Sequence, residues 1–431
     1  MSHPICCLCS LLALLALAPA QRTTKFKRNY WVKDPYTQND PAVMKKAGYV
    51  TYGPFSWGDD HDTSDIQKML PHLKILFVET AHFKIGSALG TYKLPKGRDK
   101  KRALEKKILK EELERLKKIM PKVRPAAKTL DPWLRLHLYA QRLEETYAEF
   151  CTRMQVKDED FPKTASKRIS RVGAKKPLDK QTPEGKYMGQ GPYLGMRGKF
   201  VVLLMSKGGD LNRYVARAKS GLKVSGAPMP QRHYFTKAGS LFFGTACQCA
   251  EGGLYNDHAL HCHVIFNTVQ SLVDGYKSFF FSLPVWNREG LSHWFLLRID
   301  PTEYCFTGIK GRSNKQRYGS KWNVRIKKRL KHNDFTPASM LMKYMKFEEL
   351  TFGDHMAIWS RMDFLQTLGP EKFAKYMGAI KDKIEVASGM QPTDEVIYAR
   401  QEKALKVAFG FDYAGFDAAW KAYVLKTYPN K

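Results

Sequence analysis

An α+β fold is predicted for this chain by three observations: strand-like runs gather in the first half, apolar residues at helical spacing run from Thr336 almost to the end, and one fully apolar run at 199–205 marks a buried strand. With 43% hydrophobic and 12% aromatic residues, the composition is that of a packed protein and excludes a disordered or collagen-like chain. At 431 residues it exceeds the roughly 250–300 at which a single core stops growing. The division expected is 1–20 as a targeting segment, 21–70 as an irregular lead-in, 71–256 as a sheet lobe with a charged helix and a long loop insertion, and 257–431 as a helical lobe.

The elements follow in order. From Cys6 to Ala20 the chain is apolar, too short to span a bilayer, and closes on Ala18-Pro19-Ala20, which reads as a secretory signal cut after Ala20. The 21–70 stretch has no periodicity. Alternation over 73–85 predicts a strand or hairpin arm, with a Gly-rich turn at 86–90. A charged helix is expected at 100–119, supported by Glu and Lys three and four positions apart, and a second at 133–150 with Leu134, Leu138, Leu143 and Tyr147 on one face. Prolines and glycines make 157–198 a surface excursion. The strand at 199–205 should lie mid-sheet, followed by a helix at 211–218 and strands at 233–236 and 240–245. Asp257 is expected to cap a helix, another runs over 286–297, and breaks are expected at Gly353, Gly369-Pro370, Gly389 and Gly410.

Lys and Arg total 72 against 41 Asp and Glu, a net charge of +31. The excess gathers at 96–124, 163–180 and 310–331, the last without one acidic residue. Such a surface suits anionic partners, and in an exported protein those are envelope polymers, acidic glycans or extracellular nucleic acid, with intracellular nucleic acid out of reach. No later apolar run is long enough to span a membrane. Of eight cysteines, five lie beyond the signal (Cys151, Cys247, Cys249, Cys262, Cys305), too few for a disulfide framework and with no pairing assignable from sequence. Cys247-Gln-Cys249 with His258, His261 and His263 has zinc-like residue types but lacks Cys-x-x-Cys spacing. No phosphate-binding glycine loop or Gly-x-Ser-x-Gly elbow occurs.

The most informative stretch is 258–294. Its second half, Leu283-Pro284-Val-Trp286-Asn-Arg-Glu289-Gly290-Leu291-Ser, resembles the third-ligand helix of gluzincin-type zinc metallopeptidases, whose short MA-type members read Leu-Pro-x-Trp-x-x-Glu-Gly-Leu-Ala. The resemblance extends over most of 73–428 and implies a zincin-like fold with Glu289 at the zinc-carboxylate position. Such enzymes place two histidines at i and i+4 on one helix, with a Glu beside the first to take a proton from metal-bound water. Those positions fall here on Asn267, Thr268 and Ser271, and none supplies the required chemistry. The resemblance therefore implies the peptidase fold without the peptidase reaction, and no bound cofactor is expected. A displaced Zn2+ set of His263, Glu289 and His293 is the alternative, requiring a shift of about 6 Å, one helical turn.

The function expected is that of an exported, catalytically inactive metallopeptidase-like protein that binds a peptide or an anionic envelope component in the former cleft. Asn267, Ser271, Glu289 and His293 would form the cleft floor, and Lys310, Arg312, Arg325 and Lys327 an electrostatic rim. Two alternatives stay open: an active zinc peptidase on the displaced ligands, and a cell-envelope scaffold acting through its basic surface.

Overall fold

The computed structural model describes residues 33–97, 99–165, 186–218, 229–249, 254, 256–307, 321–384 and 391–431. The signal reading at 1–20, residues 166–185 of the 157–198 excursion, Lys310, Arg312 and Gly389 lie outside them.

The stretch read as an irregular lead-in carries regular structure. Helix α1 (Pro41–Lys46) is capped by Asp40, strand β1 is Tyr49–Thr51, and α2 (Thr63–Met69) starts at a capping box formed by Asp62 and Asp65. These elements are short, and what fixes them is tertiary. Tyr52 donates to the buried Asp34 carboxylate at 2.7 Å, and Trp57 is fully buried and donates to Tyr214 at 3.0 Å. Periodicity over a few residues cannot register such contacts.

The run at 73–85, expected as one strand or hairpin arm, is divided between β2 (Leu76–Thr80) and β3 (Phe83–Ala88), which pair antiparallel about a turn at Ala81-His82. The glycine turn predicted from residue 86 begins later, because Gly86 lies inside β3. A Cβ there would stand 3.0 Å from the side chains of Leu203 and Phe77, so the glycine serves close packing and not a turn. Strand β4 (Tyr92–Lys93) pairs with β5 (Thr129–Leu130), and between them runs α3 (Lys100–Ile119). Helix α4 (Pro132–Met154) is capped by Asp131 and carries Pro at its first turn. Beyond 185 the excursion is not superficial in its described part: Leu194 and Met196 are buried in the main core.

Strand β6 (Phe200–Met205) sits mid-sheet and is buried throughout, as its apolar run requires. Its side chains alternate. Phe200, Val202 and Leu204 join the core shared with α4, while Val201, Leu203 and Met205 join a second core on the opposite face, with Leu211, Tyr214 and Val215 of α5 (Gly208–Ala218). Strands β7 (Gln231–Phe235) and β8 (Ser240–Ala246) complete a mixed six-stranded sheet in the order β1-β2-β3-β6-β8-β7. The β3–β6 and β6–β8 pairs are parallel, whereas β7 lies antiparallel to β8 at the edge.

Helices follow. Helix α6 (Asp257–Gly275) begins at Asn256, whose side chain accepts from Ala259 N at 2.6 Å, so Asp257 is not the cap. Asp257 instead receives a 2.7 Å hydrogen bond from the buried Arg142. Helix α7 (Val285–Ile299) packs along α6. After it come α8 (Trp322–Lys331), α9 (Ala338–Leu341) and α10 (Phe352–Thr367). Gly353, expected as a break, is inside α10; Thr351 and Asp354 form a capping box that starts the helix before it. The remaining helices are α11 (Pro370–Ile380), α12 (Asp394–Phe409) and α13 (Tyr413–Thr427), separated at Gly369-Pro370 and Gly410 as the sequence predicts. The fold is α+β. Residues 34–431 form one compact unit, and its largest apolar cluster runs from Tyr49 to Tyr428 through sheet and helices alike. No helix among the described residues is long and apolar enough to cross a membrane.

Candidate functional site

The site is built where α6, α7 and α10 meet. Glu289 and His293 are four residues apart on α7 and so share a face. Opposite them, His355 occupies the first turn of α10. The two helices can approach because Gly290 has no side chain: a Cβ there would lie 3.1 Å from the Ile358 carbonyl oxygen of α10. All three side chains are completely buried.

Glu289 Oε2 lies 3.3 Å from His293 Nε2 and 3.4 Å from His355 Nδ1, and those two nitrogens are 3.1 Å apart. Oε2 makes no hydrogen bond. The other carboxylate oxygen is held firmly: Gln270 Nε2 donates to Oε1 at 3.1 Å, and the backbone N–H of Thr307 donates at 3.2 Å. Gln270 also donates to Thr307 Oγ1 at 2.8 Å. From edge strand β7, Arg232 reaches across to Gln270 and places its other terminal nitrogen 2.9 Å from Asp274 Oδ2. Around the histidines stands an aromatic wall, with ring centroids of Phe266 and Trp322 at 5.0 and 4.8 Å from His293, and Phe306 at 4.8 Å from His355.

Electrostatics follow from this enclosure. Burial alone would raise the Glu289 carboxyl, but the two imidazoles outweigh it and hold it well below the usual carboxylate range. His293 is pushed down to about 4, because loss of hydration and neighbouring His355 together exceed the attraction of Glu289. The carboxylate and the two imidazoles thus meet in one enclosed, water-excluded space.

The residues singled out from the sequence separate here. Of the expected cleft floor, Glu289 and His293 are in the constellation. Asn267 and Ser271 are turned into their own helix: Asn267 Nδ2 donates to the His263 carbonyl at 2.9 Å, and Ser271 Oγ donates to the Asn267 carbonyl at 3.3 Å. Thr268 is buried with its hydroxyl unpaired. Asn267 and Ser271 thus spend their amide N–H and hydroxyl on their own helix, and Thr268 is buried beside them. The α6 side chain that reaches Glu289 is Gln270, one residue from the positions weighed.

The displaced set also fails to assemble. His263 bonds Thr245 of β8 at 3.0 Å, and its buried ring is pushed down to about 4 by desolvation. Among the described residues the Glu289 carboxylate has His293 and His355 for company. His355 was missed by sequence reasoning because 62 residues separate it from His293. The one local signal is Thr351-Phe-Gly-Asp354, a capping box that puts His355 on a helix start.

The cysteine–histidine cluster disperses too. His258 pairs with Asp300 at 2.9 Å, His261 Nδ1 lies 3.8 Å from Glu112, and Cys249 Sγ accepts from Ala246 N at 3.2 Å. Cys151, Cys247, Cys249, Cys262 and Cys305 form no disulfide. Of the basic rim, Lys327 is buried and its ammonium donates to the Tyr428 carbonyl at 2.5 Å, so it fastens α8 to the chain end and offers no charge to a ligand. Arg325 is half-buried with its guanidinium 4.8 Å above the Phe352 ring.

Comparison with protein-family models, with curated proteins and with solved structures finds no match for this chain.

Proposed function

We propose that this protein is an exported, zincin-like protein without peptidase activity that binds an extended peptide of acidic character along strand β7. One observation carries the reading. At the three positions where a gluzincin-type enzyme needs two imidazoles and a general base, Asn267 and Ser271 are bonded back into α6, and Thr268 has a hydroxyl unable to deprotonate water near neutral pH. The zincin-like fold is supported by a mixed sheet whose edge strand runs antiparallel, followed by two helices packed side by side.

Binding is supported by the sheet edge. Among the described residues β7 pairs with β8 alone, so its other edge has no strand partner, the arrangement by which an extended peptide adds to a sheet. The net charge of +31 favours an acidic partner. Against hydrolysis stands the bridge from Arg232 on β7 to Gln270 and Asp274, which ties the edge strand directly to α6.

The test uses the secreted protein with labelled unstructured peptides of opposite charge. Anisotropy is expected to rise for the acidic peptide and to weaken as salt is added, with mass spectrometry finding every peptide intact. EDTA-sensitive cleavage that disappears in Glu289→Gln would overturn the proposal.

A further inference from the structure

From the same residues we infer that Glu289, His293 and His355 form a buried divalent-metal site suited to Zn2+, structural in role and independent of any peptide bound at β7. Three donor atoms, Glu289 Oε2, His293 Nε2 and His355 Nδ1, make a triangle with edges of 3.3, 3.4 and 3.1 Å. Donors about 2.0–2.1 Å from a tetrahedral Zn2+ stand about 3.3 Å from one another, so the triangle is one face of such a tetrahedron with no side chain moved.

A second observation points the same way. Glu289 Oε2 is buried, aimed at the two imidazole nitrogens, and makes no hydrogen bond, whereas Oε1 of the same carboxylate has two. A fully buried carboxylate oxygen left without a hydrogen bond is costly, and a cation held among the three donors would satisfy it. Gln270 and the Thr307 N–H fix the carboxylate so that a single oxygen is presented, which is how outer hydrogen bonds orient a metal ligand. The donor set of two imidazoles and one carboxylate suits Zn2+ and not Ca2+ or Mg2+, which take oxygen ligands.

Location sets the role. The resemblance puts a peptidase zinc among residues 267, 271 and 289; here the two histidines come from one turn further along α7 and from α10. Enclosed by Phe266, Phe306 and Trp322 and fully buried, the site lacks the open access that a hydrolytic zinc keeps for substrate. It ties α7 to α10 within the helical half.

The test is elemental analysis of the purified wild-type protein, then thermal melting of the metal-stripped protein with and without added ZnCl2. The expected results are one zinc per chain, a Tm that falls on stripping and returns on zinc addition, and a Co2+-loaded form with the intense visible bands of tetrahedral cobalt. Gln270→Ala should keep the metal with affinity reduced about 10- to 100-fold. Two outcomes overturn the inference: wild-type protein that neither carries zinc nor shifts its Tm with it, or zinc retained undiminished in His355→Ala and Glu289→Gln. The wild-type titration reads the site even if a variant fails to fold, and no arm reads proteolysis or peptide binding.

Discussion

Two of the regions that carry histidines behave oppositely. At the start of α6, His258, His261 and His263 fall within six residues of one another and beside Cys247 and Cys249, a density that invites a metal reading. Yet the helix points them apart, toward Asp300, Glu112 and Thr245. Glu289, His293 and His355, by contrast, come from two helices and converge to within 3.4 Å. Nearness in sequence on a helix distributes side chains around an axis; convergence needs a second element close enough to face the first, and here Gly290 permits it.

The comparison can be broken most severely at its structural side. Arg142, buried, donates to Glu112 at 2.8 and 2.7 Å and to Asp257 at 2.7 Å, tying α4 to α3 and to the start of α6. Arg142→Ala leaves Glu112 without its cation and Asp257 with only Arg135 at 3.8 Å, and should cost about 3–5 kcal/mol in urea unfolding. Zinc content per folded chain should not change.

Gly290→Ala strikes the converging region. The added methyl meets a backbone carbonyl, so α10 must shift; a loss of about 1–3 kcal/mol is expected, together with a lower zinc content by elemental analysis.

A third histidine sharpens the contrast through pH. Burial would lower His82, but hydrogen bonds and charge from Glu144 at 2.6 Å and Asp158 at 2.9 Å outweigh it and raise its pKa. Its contribution is therefore fully present below the unfolded value of about 6.5 and is lost as pH rises through the raised folded value. His82→Gln should cost about 1–2 kcal/mol near pH 5.5 and less near pH 9, read from paired denaturation curves. The opposite trend would mean that the ring folds in uncharged.

The smallest effect is expected at His263→Gln. The amide can still bond Thr245, so stability should move by no more than about 1 kcal/mol and zinc content not at all. Loss of zinc there would return the metal to the sequence-dense region.

Much of the scaffold was legible in the sequence: the apolar run of β6, the charged helix α3 and the apolar face of α4 are set by local period, whereas the turn at Ala81-His82 that divides 73–85 into β2 and β3 was not. The short elements between Pro41 and Met69 were not, because Asp34, Tyr52 and Trp57 fix them through distant partners. Half of the site was legible as well. Glu289 and His293 stand on one recognisable helix, whereas His355, Gln270 and Thr307 are joined to them by packing that no spacing rule encodes. Lys327 misled for a related reason: a charge run says nothing of which ammonium turns inward.

Anomalous scattering at the zinc absorption edge, from crystals of the protein grown without chelator, tests the central claim most directly. The account predicts one strong peak about 2.0–2.1 Å from Glu289 Oε2, His293 Nε2 and His355 Nδ1. A peak beside Asn267 and Ser271, or none at the triangle, would contradict it.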